Sequence, residues 1–194
     1  PAWFRDPGRK QRPLKIEGNQ RMDSTTTEDR SLVMCCDGTG NVWSHERGAT
    51  NIVKLFTRLD LSPVARQLAY YDPGVGSTGD RAEAYIWLMR HYQPGDRLFL
   101  FGFSRGAFTA RAVSGLLHNY GLLRPEHENL LPSLLQNYRL PPNRRDPFRK
   151  SIRERFSRNP DDASPFPIHF IGMFDTVESV GLNDIFLGQS IKSD

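Results

Sequence analysis

The sequence predicts an α/β fold, a mostly parallel sheet with helices on both faces. Three observations predict it. Short, continuously apolar runs alternate with amphipathic helical patterns from residue 31 onward, the rhythm of strands covered on both sides. The connections between them are short and hold Gly, Pro, Asp and Asn, the residues of tight turns. Asp37, Asp72, Ser104 and Asp175 each fall at or just after the end of an apolar run. In parallel sheets that edge is where ligands bind.

Leu32-Val33-Met34-Cys35-Cys36 reads as a buried strand, ended by Asp37-Gly38-Thr39-Gly40-Asn41. A helix follows, with Ile52, Leu55, Phe56 and Leu59 on one face and Thr50 or Asn51 as its cap. Gln67-Leu68-Ala69-Tyr70-Tyr71 is the second strand, ended by Asp72-Pro73-Gly74-Val75-Gly76. Tyr85, Leu88, Met89 and Tyr92 mark the second helix, and Pro94-Gly95-Asp96 a turn. The third strand is Leu98–Phe101, and the third helix carries Phe108, Ala112, Leu116 and Tyr120. The fourth strand is Ile168–Phe174, ended by Asp175-Thr176-Val177.

Two stretches depart from this rhythm. Residues 1–30 have no periodicity and few aliphatics, and read as a flexible tail before a domain spanning 31–194. Residues 121–167 are rich in Pro, Asn and Arg, with weak helical patches at Leu134–Leu140 and along Phe148, Ile152 and Phe156. This stretch reads as a basic, cap-like insertion between the third helix and the fourth strand.

The most informative residues are Gly102-Phe103-Ser104-Arg105-Gly106-Ala107, at the third strand-to-helix junction. A serine between two glycines there is the nucleophile elbow of α/β-hydrolases, in which the turn is too tight for side chains beside it. Ser104 is the candidate nucleophile. A serine hydroxyl needs an adjacent base and a group that orients the base. Asp175, just after the next strand, is the candidate acid. The Arg105 N–H, with Gly38 and Thr39 of the first loop, is the candidate oxyanion hole.

A base is harder to find. All five histidines precede Asp175, whereas the hydrolase order is Ser, then Asp, then His. His45, in the loop after the first strand, is the candidate substitute. Otherwise the histidine lies beyond residue 194, and the hydrolase-like sheet is incomplete at its carboxyl end. No Cys/His cluster has metal-ligand spacing, and Asp37 and Asp72 on separate loops are a weak cation signal. Neither a metal nor another cofactor is expected.

Net charge is +4 but uneven. Residues 139–158 hold eight Lys/Arg against Asp146 and Glu154, so Arg149 and Arg153 are candidate contacts for anionic headgroups at a membrane surface. Only Tyr138, Phe148 and Phe156 interleave with that charge, which argues against nucleic acid. Adjacent Cys35 and Cys36 point to opposite faces of a strand, so two reduced thiols are expected. No signal peptide is visible, so the expected location is cytoplasmic, or secreted without a classical signal. The oligomeric state is left open.

Four motifs taken in order resemble the DUF2235 domain. They are Cys36-Asp37-Gly38-Thr39-Gly40-Asn41, Tyr71-Asp72-Pro73-Gly74-Val75-Gly76, the 102–107 elbow with Arg111, and Phe174-Asp175-Thr176-Val177 with Gly181. This α/β-hydrolase-like family includes type VI secretion phospholipase effectors of the Tle1 group. The resemblance implies a Ser-Asp-His esterase acting on lipids or phospholipids, with Ser104 and Asp175 at the matching positions. The family's histidine has no match. The competing expectations are a non-catalytic α/β-hydrolase-like module and a basic interaction domain acting through residues 139–158.

Overall fold

The structure, a computed structural model, describes residues 30–38, 48–74, 78–158 and 166–176. The expected tail lies outside these residues, apart from Arg30.

Four strands form one parallel sheet in the order β2-β1-β3-β4: β1 is Ser31–Cys36, β2 Gln67–Asp72, β3 Arg97–Phe103 and β4 Ile168–Phe174. The central β1 has five consecutive buried residues, as a strand covered on both faces must. The chain leaves β1 for β2 on one side, then crosses to β3 on the other. Right-handed crossovers in opposite directions place helices on opposite faces. Accordingly α1 (Asn51–Phe56) packs on one face with Val33, Cys35 and Ala69. The second helix, α2 (Thr78–His91), and the third, α3 (Arg105–Tyr120), build the larger core on the other face with Met34, Leu98 and Leu100.

Thr50 caps α1 as expected, its hydroxyl accepting the Val53 N–H at 3.1 Å. The helix stops at Phe56, short of the expected Leu59, and Leu59 packs against the core from the turn beyond it. Both cysteines are free and buried, and burial with the nearby Asp37 charge pushes the Cys35 thiol up to about 12.

The described residues 121–158 of the expected cap-like insertion depart from that expectation. A short 3-10 turn (Pro125–Leu130) leads to α4 (Leu131–Tyr138) and α5 (Pro142–Phe156). Tyr120 donates to Asn137 Oδ1 at 2.7 Å, Arg153 to the His118 carbonyl at 2.7 Å and Arg158 to the Met89 carbonyl at 2.8 Å. Tyr120 and the two carbonyls sit in the last turns of α3 and α2. With 16 residues, α3 is about 24 Å long at 1.5 Å per residue, so these contacts lie at the far end of the helix from Ser104. The segment buttresses the edge where the strands begin, rather than capping the edge where they end.

That same far edge is fastened by Arg30. Its guanidinium meets Asp96 at 3.0 and 2.6 Å and donates to the His91 carbonyl at 2.6 Å. Asp96 Oδ2 also accepts the Gln93 N–H at 2.7 Å. Removing one partner of a largely buried pair strands the other. Asp96→Ala is therefore expected to cost about 2–4 kcal/mol, read as a lower urea midpoint at unchanged slope. An unchanged midpoint would show that the pair is dispensable.

Candidate active site

The β1, β2 and β3 ends are in register, with Cys36 opposite both Asp72 and Gly102. Phe103 pairs with Phe174 on β4. The loops after all four strands thus leave from one rim, at the point where the chain's direction of travel across the sheet reverses.

The elbow occupies that rim. Ser104 has φ 54° and ψ −120°, a conformation side chains rarely adopt, costing about 1–3 kcal/mol. It persists because its surroundings leave no alternative. The Ser104 N–H donates to the Phe174 carbonyl at 3.0 Å, and the Ala107 N–H to the Ser104 carbonyl at 3.2 Å. A Cβ on Gly102 would fall 2.7 Å from the Ala107 nitrogen. One on Gly106 would fall well inside 3.0 Å of the Cys36 and Asp37 carbonyls. The helix therefore leaves the strand at closer range than any side chain permits.

Asp175 stands beside Ser104. It is the next residue after Phe174, whose carbonyl holds the Ser104 N–H, and neighbouring strands lie about 4.8 Å apart. Asp175 is exposed and takes φ 41°, which turns the chain at the strand end. Arg105 opens α3, so its N–H is one of the donors that a helix's own backbone leaves unpaired. Serine, carboxylate and helix-start N–H thus share one rim.

Other expected site residues stand elsewhere. Gly38 reaches the rim and is buried, but its N–H is committed to Asp37 Oδ1 at 2.7 Å. An oxyanion would have to compete with a carboxylate for that hydrogen, so Gly38 is corrected as an oxyanion donor. Thr39 and His45 lie outside the described residues. Arg149 sits on α5, 3.4 Å from Asp146. Arg153 is 2 % exposed and points into the protein, so it presents no charge to a headgroup. Both residues belong to the helix that packs on the C-terminal half of α3, which corrects their expected place over the site.

The described histidines are all away from the rim. His91 and His118 are in the last turns of α2 and α3. His127 stacks edge-on against Phe156, and His169 packs on Phe99 near the start of β4. Among the described residues no group of three His, Cys, Asp or Glu is placed to hold a metal ion.

Sequence reasoning undervalued Asp37. Its carboxylate is fully buried and accepts from Gly38 N–H, Thr50 Oγ1 at 2.7 Å and Tyr71 OH at 2.9 Å. Burial, then the Asp37 charge, pushes the Tyr71 phenol up, so it stays a hydrogen-bond donor. The available signal was a carboxylate that ends an all-apolar strand, with a hydroxyl at the following helix cap.

A four-stranded parallel sheet with helices on both faces, and a strained serine at a strand-to-helix turn, defines an α/β protein. The sequence profile of the type VI secretion phospholipase effector Tle1-like catalytic domain matches residues 30–83 and 80–193. The chain belongs to that family. It is also 30% identical over 194 residues to a Saccharomyces cerevisiae protein, Uncharacterized protein YEL023C. That match covers 82% of this chain and 28% of the yeast protein, so the chain spans under a third of its relative's length. No solved structure matches it. Among the described residues, no helix is long and apolar enough to cross a membrane.

Proposed function

We propose that this chain carries the nucleophile and acid of a serine ester hydrolase acting on phospholipids. The observation that carries the reading is Ser104, held at φ 54° on the elbow with Asp175 beside it across the β3–β4 ladder. Family membership supports a lipid ester as substrate.

Ser104 Oγ attacks the ester carbonyl while a histidine takes its proton. The carbonyl oxygen becomes an oxyanion facing the Arg105 N–H, with Thr39 N–H as the proposed second donor. The histidine then protonates the departing alcohol, and water attacks the acyl-serine to release the fatty acid. Asp175 holds the histidine in the tautomer that accepts from serine. The base is His45 or a histidine of the full-length protein outside this chain.

Asp175→Asn is expected to lower kcat by about 10³–10⁴-fold on phosphatidylglycerol vesicles, with the fold kept, because the amide favours the wrong tautomer. Turnover within tenfold of the parent would remove Asp175 from the mechanism. A second reading is a non-catalytic module that keeps the elbow only as a turn. It is favoured by the absence of a histidine at the rim among the described residues. That reading expects no vesicle hydrolysis by the full-length protein.

A further inference from the structure

Asp37 is the point where three rim segments meet, and the reaction as written gives it no part. Burying an ionised carboxylate is costly unless donors surround it. Here Oδ1 takes the Gly38 N–H, and Oδ2 takes the Thr50 and Tyr71 hydroxyls. These donors come from the start of the β1–α1 loop, the cap of α1 and the end of β2. A strand end that needed only to turn would be served by glycine, without a buried charge.

The Asp37 backbone is gripped as well. Its N–H donates to the Asp72 carbonyl at 2.8 Å. Its carbonyl is approached by Gly106 from the elbow helix and by Gly74 from the β2–α2 loop, each too closely for a Cβ. Any displacement of Asp37 therefore reaches Gly106, the neighbour of Arg105.

We propose that Asp37 is a positioning residue of the hydrolytic site: its carboxylate holds Gly38, the α1 cap Thr50 and Tyr71 in one arrangement against the elbow, and so sets the oxyanion side of Ser104. This rests on Ser104 being the nucleophile. Asp37 touches no reacting atom. It acts by fixing where the loop begins and where the first turn of α3 lies, and small misplacements of that kind are costly in kcat.

The test uses the full-length protein and p-nitrophenyl butyrate, a soluble ester that needs no membrane. Asp37→Asn replaces one of the two accepting oxygens by a donor, among the donors of Gly38, Thr50 and Tyr71. Its kcat is expected to fall about 30- to 100-fold with KM within threefold. Fluorophosphonate labelling of Ser104 should slow by a similar factor yet reach the parent's final stoichiometry. A merely structural role would lower the final labelled fraction and leave the rate of the folded remainder unchanged. Tyr71→Phe removes one donor from a half-buried ring and keeps the packing. It is expected to lower kcat about 3- to 10-fold at unchanged KM, and it decides the matter if Asp37→Asn does not fold. Parent-like kcat in Tyr71→Phe, with Asp37→Asn either parent-like or lost only through its labelled fraction, overturns the proposal. Hydrolysis surviving in Ser104→Ala, or absent from the parent, would instead sink the underlying reading of Ser104, and both fall together.

Discussion

Replacing Ser104 with alanine is expected to reduce phospholipid hydrolysis by the full-length protein by about four orders of magnitude or more, the usual consequence of deleting a catalytic serine. The fold should survive, and its thermal midpoint should be unchanged or slightly raised. Ser104 holds its backbone at φ 54° and ψ −120°, and its N–H and carbonyl bonds to Phe174 and Ala107 do not involve the side chain. Alanine keeps those bonds and meets the same strain. Activity and stability therefore separate in this variant, which is the mark of a chemical rather than a structural serine. Circular dichroism and a vesicle-hydrolysis assay on one preparation check both halves. Loss of the folded state would mean instead that the hydroxyl is part of the scaffold.

Gly106→Ala has the second largest expected effect, and it runs the other way. The added methyl would enter the space held by the Cys36 and Asp37 carbonyls, which are backbone atoms of the central strand and its exit loop and cannot rotate aside. Relief needs α3 to lift from β1, and α3 sets Ala110, Val113, Leu116, Leu117 and Tyr120 into the buried core. A destabilisation of about 3 kcal/mol or more is expected, or failure to accumulate folded protein. Gly95→Ala is the informative comparison. Gly95 has φ +94° but nothing within 4 Å of its missing Cβ, so only backbone strain is added, about 1–2 kcal/mol. Urea unfolding of the two variants gives the ordering. A smaller loss at Gly106 than at Gly95 would contradict the packing argument.

The fold was legible because the central strand and the helices obey simple periodicities. Leu32–Cys36 is apolar at every position, as a strand buried on both faces is, and Tyr85, Leu88 and Tyr92 keep the 3.6-residue step. The elbow was legible because its glycines are imposed by backbone contacts, which leave a mark in any sequence that makes them. The 121–167 segment misled because charge was read as exposure. Arg153 is buried, and its charge is met by a backbone carbonyl, which has no sequence signature. The α5 helix also runs through Pro147, which removes an N–H donor from the helix, so that only its second half, along Phe148, Ile152 and Phe156, shows a helical stripe in the sequence. In the sequence the Gly38 N–H looks open, because a turn glycine resembles an oxyanion donor. Only coordinates show the Asp37 carboxylate folding back on it.

The most direct test of the central claim is fluorophosphonate labelling of the full-length protein, followed by tandem mass spectrometry of its peptides. The account predicts one phosphonyl adduct per chain, on Ser104, formed in the folded protein and lost on denaturation before labelling. An unlabelled Ser104 in a protein that hydrolyses phospholipid, or an adduct on another serine, would contradict it.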